Sequence, residues 1–147
     1  ALTIGTPVYC RVEAVNKYLP VQLTCLSPAG QTRDWVTGEC IFGELKAGML
    51  SNISLTLAHE LMTKGASDID MDNDEVPNKK PLLDLIGEKL QFEITIGING
   101  IIWINSVSVH HIITIMNIIR RYDEENGHFD VAKMLDIAIR SFKLKKD

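Results

Sequence analysis

Apolar and polar residues alternate from Pro7 to Val15, with Val8, Cys10 and Val12 on one side and Tyr9, Arg11 and Glu13 on the other. A half-buried strand has that period of two, because successive side chains leave opposite faces of the backbone. Asn16 and Lys17 mark a turn. A second run, Val21 to Leu26, is closed by Ser27, Pro28, Ala29 and Gly30, which predicts an antiparallel meander. Two strands do not close a barrel, so the expectation is the tail of a β domain whose earlier strands precede this chain. A third strand-like stretch covers Cys40, Ile41 and Phe42, followed by a turn at Ala47 and Gly48 and the run Met49, Leu50 and Ile53.

The period then lengthens. Leu55, Ala58, Leu61 and Met62 recur at helical spacing, with Asn52 or Ser54 as the cap and Lys64 and Gly65 as the stop. Residues 66–80 carry Asp68, Asp70, Asp72, Asp74 and Glu75 with almost no apolar content, the composition of a solvated loop. Pro81 suits the first position of a short helix to Gly87 that turns Leu82, Leu83, Leu85 and Ile86 inward. Leu90 to Ile96 alternates cleanly as a strand, and Ile101 to Ile104 is its partner. Between them, Asn99 followed by Gly100 predicts the two positive-φ residues of a tight hairpin. Ser106 or Ser108 then caps a helix reaching Arg121, with Ile112, Ile115, Met116 and Ile119 on one face. A last helix, Phe129 to Phe142, turns Val131, Leu135, Ala138 and Phe142 inward and ends in a basic tail.

From residue 40 onward the order is strand, helix, helix, strand, strand, helix, the topology of a eukaryotic-type KH domain with one C-terminal helix added. The expected class is α+β. The segment GINGIIWI at residues 97–104 resembles the Gly-x-Asn-Gly followed by Ile-Trp that marks exosome cap proteins. With Pro20, Gln22 to Cys25, Gly48 and Met49, the chain resembles the ribosomal RNA-processing protein 40 (exosome component 3) family. The resemblance implies the C-terminal strands of an OB-type barrel at residues 1–38 and a KH domain at 39–147, with the acidic loop at 66–80 as an insertion. It further implies a non-catalytic, RNA-binding cap subunit of the RNA exosome, seated on RNase-PH-like ring subunits beside the other caps. Such a subunit guides RNA toward a 3′–5′ nuclease, in the nucleus, nucleolus and cytoplasm. Phe42 to Met49 also resembles the paralogous cap, exosome component 2. A free-standing RNA-binding module with the same two domain types is the alternative from another class.

Charge does not itself point to RNA, since 15 Lys and Arg against 19 Asp and Glu leave a net charge of -4 and no global positive field. A chain of 147 residues can build a core without disulfides or metal. Cys10, Cys25 and Cys40 lack CxxC spacing, and their odd number argues against a disulfide framework or a closed zinc site. No stretch is long and apolar enough to span a membrane, and ALTIGTPVYC lacks the basic and apolar regions of a signal peptide. No membrane partner and no secretion are expected.

The remaining candidates divide between ligand contacts and scaffold. A KH domain usually grips nucleotide backbone with a GxxG loop between its first two helices, where this chain has five carboxylates that would repel phosphate. Gly97, Asn99 and Gly100 are expected to be structural, because glycines at a turn need no ligand to explain them. Trp103, flanked by isoleucines, is expected to pack rather than stack on a base. His110 and His111 diverge by about 100° on a helix and cannot share a metal. Asp68, Asp70 and Asp72 imitate a calcium loop, but Asn73 and Lys79 replace its required glycine and glutamate. No GxSxG, P-loop or HExxH is present, so neither catalysis nor a cofactor is expected. For Arg11, Lys17, Arg33, Arg120, Arg121, Lys143, Lys145 and Lys146 alike a solvated surface charge is the default, and an RNA path along Arg11, Lys17 and Arg33 is the functional alternative.

Overall fold

In the computed structural model, which describes residues 3–26, 42–64 and 80–144, the alternating stretch from Pro7 to Val15 is shared by two strands with different partners. β1 (Val8–Tyr9) pairs antiparallel with a strand at Gly43–Glu44, and β2 (Arg11–Asn16) pairs with β3 (Leu19–Thr24). The expected meander is therefore present, with β3 starting two residues before Val21. Asn16 shapes its turn by accepting the Tyr18 N–H at 3.0 Å. The Gly43–Glu44 strand, β4, continues from Phe42, whose ring stacks on Tyr9 with centroids 5.1 Å apart.

Because β4 pairs with β1, it belongs to the first of two compact units, Ala1–Ala47, and the second unit is Gly48–Asp147. The expected boundary at residues 38 and 39 lies outside the described residues. The strand expected at Cys40 and Ile41, and the acidic residues of the 66–80 insertion, fall outside the described residues.

The second unit runs β5 (Met49–Asn52), α1 (Leu55–Lys64), α2 (Leu82–Gly87), β6 (Phe92–Ile96), β7 (Ile101–Ser106), α3 (Val109–Glu124) and α4 (Val131–Leu144). The sheet order is β5-β7-β6, antiparallel throughout, so the last strand in sequence is the central one. This is the expected KH order with α4 appended.

Period explains which faces are covered. On β7, Ile102 and Ile104 are 1% and 0% exposed, whereas Ile101 and Trp103 lie on the opposite face and are more open. On α3, Ile112, Ile115, Ile118 and Ile119 form one buried stripe, which joins Leu57, Leu61, Leu82, Ile86, Val131 and Leu135 in a single core. The isoleucines of α3 would suit a strand equally well. Its 16-residue run, capped by the Ser108 hydroxyl accepting the His110 N–H, decides for helix.

The short α2 begins one residue later than expected. Pro81 is its N-cap, with ψ at 147°, rather than its first helical residue. Lys80 and Glu88 pair across the two ends of α2, and their hydrogen bond raises the Lys80 ammonium and lowers the Glu88 carboxyl relative to their ordinary values. Both side chains are exposed, so solvent screening leaves the pair little weight.

Candidate nucleic-acid interface

The Gly97–Gly100 segment joins β6 to β7 by a turn in which the Gly100 N–H reaches the Gly97 carbonyl at 3.0 Å and the Gly97 N–H reaches the Ile101 carbonyl at 2.9 Å. Gly100 has φ +79°, but Asn99 is not among the positive-φ residues. The two-residue hairpin expected from Asn-Gly is thus replaced by a longer turn with one left-handed residue at its end. Asn99 contributes through its side chain instead: Oδ1 accepts the Ile101 N–H at 3.2 Å. A Cβ on Gly97 would clash with that oxygen.

Gly100 also meets a distant part of the chain. Its carbonyl accepts the Ile53 N–H at 2.8 Å, and a Cβ there would lie 2.7 Å from the Ile53 carbonyl oxygen. The glycine is buried, which withholds its backbone from a phosphate. A second close approach occurs at Gly48, φ +105°, where a Cβ would lie 2.6 Å from the Ile104 carbonyl oxygen and 2.9 Å from Trp103 Nε1. Trp103 is half-buried there, between Leu50 on β5 and Thr95 on β6.

One tie that the sequence did not suggest anchors α1 to α3. Ser54 Oγ accepts the Leu57 N–H at 3.1 Å, so Ser54 rather than Asn52 caps α1. Both the Ser54 N–H, at 2.8 Å, and the Ser54 hydroxyl donate to the Asp123 carboxylate. An acidic residue in the last turn of α3 is disfavoured by that helix's own dipole, but here the carboxylate serves the positive N-terminus of α1. Asp123→Ala is expected to cost about 1–2 kcal/mol, read as a lower melting temperature by thermal denaturation. A Ser54→Ala, Asp123→Ala double mutant should lose less than the two single losses added, since the side-chain bond is shared.

Of the basic candidates, Arg11 donates from Nε to the Leu26 carbonyl at 2.8 Å, and the Lys17 ammonium lies 5.8 Å from the Tyr18 ring centroid. These two stand on the β2–β3 hairpin of the first unit. Arg33 lies outside the described residues, as do the side chains of Lys143, Lys145 and Lys146. On α3, Arg120 pairs with Glu124 at 3.8 Å and Arg121 lies 5.9 Å from the Phe129 ring. Both are exposed.

Among the described residues, no group of three or more His, Cys, Asp or Glu could hold a metal. His110 and His111 instead lie near Phe142 of α4, with ring centroids 6.2 and 5.4 Å away. A cleft of about 280 Å³ is lined by Leu82, Leu85, Tyr122, Phe129 and Val131 with Lys80 and Asp130 as charged members. No helix among the described residues is long and apolar enough to cross a membrane.

The model of the KH domain family matches residues 48–110, from β5 into the start of α3. An exosome complex component rrp40 assigned in Dictyostelium discoideum is 31% identical over 118 residues, covering 80% of this chain and 41% of that protein. Exosome complex component RRP40 of Saccharomyces cerevisiae is 29% identical over 143 residues, 97% of this chain and 50% of that one. The Schizosaccharomyces pombe exosome complex component rrp40 is 30% identical over 121 residues, 81% and 42% of the two chains. The chain thus spans half or less of the curated relatives it matches. A crystal structure described as that of an exosome complex RNA-binding protein superposes with a TM-score of 0.65 over 98% of this chain and 68% of its own, at 17% identity, and so shares the fold.

Proposed function

Because the chain belongs to the Rrp40 family of exosome components, we propose that it is a non-catalytic, RNA-binding cap subunit of the RNA exosome. In this reading it docks on RNase-PH-like ring subunits beside the other caps and leads RNA into the pore for 3′–5′ processing and degradation. The observation that carries the proposal is the alignment to the yeast protein, which extends over 97% of the chain and therefore over both compact units. The KH match and the β5-β7-β6 sheet support an RNA-facing role. A fold of this kind hosts several functions, so partnership is the deciding property. The protein would act in the nucleus, including the nucleolus, and in the cytoplasm.

The division of labour within the chain follows from where the basic and acidic groups stand. Between α1 and α2 the sequence has no GxxG and five carboxylates, which moves the proposed RNA contact away from the usual KH grip and onto Arg11, Lys17 and Arg33. Gly97, Asn99 and Gly100 have a scaffold role in this proposal.

Affinity purification of the full-length protein, with identification of what accompanies it, tests the reading. RNase-PH-like subunits should co-purify. Recovery of the protein without them, together with tight binding to RNA by the protein alone, would replace the cap with a free-standing RNA-binding module. For the RNA path, Arg11→Ala combined with Lys17→Ala should weaken binding to a single-stranded RNA and flatten its salt dependence, since fewer phosphates are neutralised. Unchanged affinity and unchanged salt slope would remove both residues from the path. The absence of a nucleophile or metal constellation in the sequence leads to a third expectation, that the protein leaves a labelled 3′-tailed RNA intact with or without Mg²⁺ or phosphate. Shortening activity that follows the protein peak through repurification would contradict it.

A further inference from the structure

Cys10 and Cys25 flank the β2–β3 hairpin in sequence, each one residue outside its paired strands. The ladder pairs Arg11 with Thr24 and Val12 with Leu23 without a shift between them. Cys10 and Cys25 lie just outside the ladder, and the same register carried one step past its end would set them opposite one another. Directly opposed residues in an antiparallel pair project to the same side of the sheet. An independent contact agrees, because Cys25 Sγ lies 3.8 Å from the carbonyl oxygen of Tyr9, which belongs to the peptide group joining Tyr9 to Cys10. The open end of the hairpin is also held across its strands by the Arg11 Nε bond to the Leu26 carbonyl at 2.8 Å. Both cysteines carry free thiols and are half-buried.

From this juxtaposition we propose that Cys10 and Cys25 form an oxidisable thiol pair, a modification site closed by a cross-strand disulfide. An opposition of this kind would suit the bond. Opposed antiparallel residues have Cα atoms about 4.5 or 5.5 Å apart, according to whether they are a non-hydrogen-bonded or a hydrogen-bonded pair. Disulfides span Cα separations of roughly 4.4–6.8 Å, so either class is within reach. The partial burial of both thiols in a hairpin leaves small molecules a path to them, unlike a thiol sealed in a core.

With a low-molecular-weight disulfide such as oxidised glutathione as oxidant, the reaction balances in two exchanges. One cysteine thiolate attacks a glutathione sulfur, the glutathione disulfide bond breaks, and one reduced glutathione leaves. The facing thiolate then attacks the protein sulfur of that mixed disulfide and expels the second glutathione. The two protein thiols give up two protons and two electrons, and these reside on the two glutathione thiols. The product ties together the strands of the hairpin on which Arg11 and Lys17 stand, so oxidation would act on the proposed RNA path.

The test is titration of the folded protein with oxidised glutathione under non-denaturing conditions, followed by intact mass and by mapping of tryptic peptides. The expected result is the loss of two hydrogen atoms in mass, a peptide pair joined between Cys10 and Cys25, and simultaneous loss of maleimide labelling at both positions. Reduction should restore labelling at both. Cys10→Ser and Cys25→Ser should each abolish the cross-link and leave the remaining thiol labelled or carrying one glutathione, while Cys40→Ser should leave the cross-link in place. Thermal melting of each serine variant in its reduced state checks that the hairpin is retained. Stable mixed disulfides on both cysteines with no cross-link, or a cross-link that runs to Cys40 or between molecules, would overturn the proposal.

Discussion

Gly100→Val is expected to lower the stability of the second unit by on the order of 2–5 kcal/mol, a fall in melting temperature of roughly 10–30 °C for a unit of this size. Two costs act together. A β-branched residue is strained at φ +79°, and its Cβ would stand 2.7 Å from the Ile53 carbonyl oxygen, a backbone atom that cannot rotate away. Relief by moving Ile53 would break the 2.8 Å bond between the Ile53 N–H and the Gly100 carbonyl, which ties the turn to the connection between β5 and α1. Assembly with the proposed partner subunits should decline only as far as folding does. A wild-type melting curve together with lost RNA binding would instead make this glycine a ligand site. Asn99→Ala is a milder companion, expected to cost about 1 kcal/mol through the single bond that Oδ1 accepts from Ile101.

Ile115→Ala should be comparably severe by a different mechanism, at about 2–5 kcal/mol in denaturant or thermal unfolding. Ile115 is 0% exposed in the middle of α3, within the cluster that includes Ile102, Ile104 and Leu135. Truncation there removes buried methyl groups and leaves a space that neighbours on a sheet and several helices cannot all close. Ile113, two residues away on the same helix, is 45% exposed. Its replacement by Ala should change stability by no more than about 0.5 kcal/mol. Equal losses at the two positions would show that helix propensity or solvation, rather than packing, governs α3.

Elements with a clear period are legible in the amino-acid sequence itself, because burial of one face leaves its mark on neighbouring residues. The β6–β7 pair and the apolar stripe of α3 are of this kind. The β2–β3 meander is legible as an alternation and a turn although Val12, Val15, Leu19, Val21 and Leu23 are exposed, and each cap is legible only as a choice, Asn52 or Ser54 and Ser106 or Ser108. Element order and the GxNG-to-Trp103 segment also sufficed to identify the family, with the KH unit and the rrp40 relatives agreeing. Tertiary structure decided what periodicity cannot encode, namely which distant segments meet. It gave β4 to β1 and so to the first compact unit, it set Asp123 on the N-terminus of α1, and it pressed Gly100 against Ile53. It also brought Cys25 Sγ to within 3.8 Å of the Tyr9 carbonyl, across a hairpin of which the alternation shows only one strand at a time. The turn at Asn99 and Gly100 marks the boundary between the two kinds of information. Local chemistry placed a turn there, but the hydrogen bonds to Ile101 and Ile53 selected a form with a single left-handed residue, because they stabilise that backbone path over the tighter one.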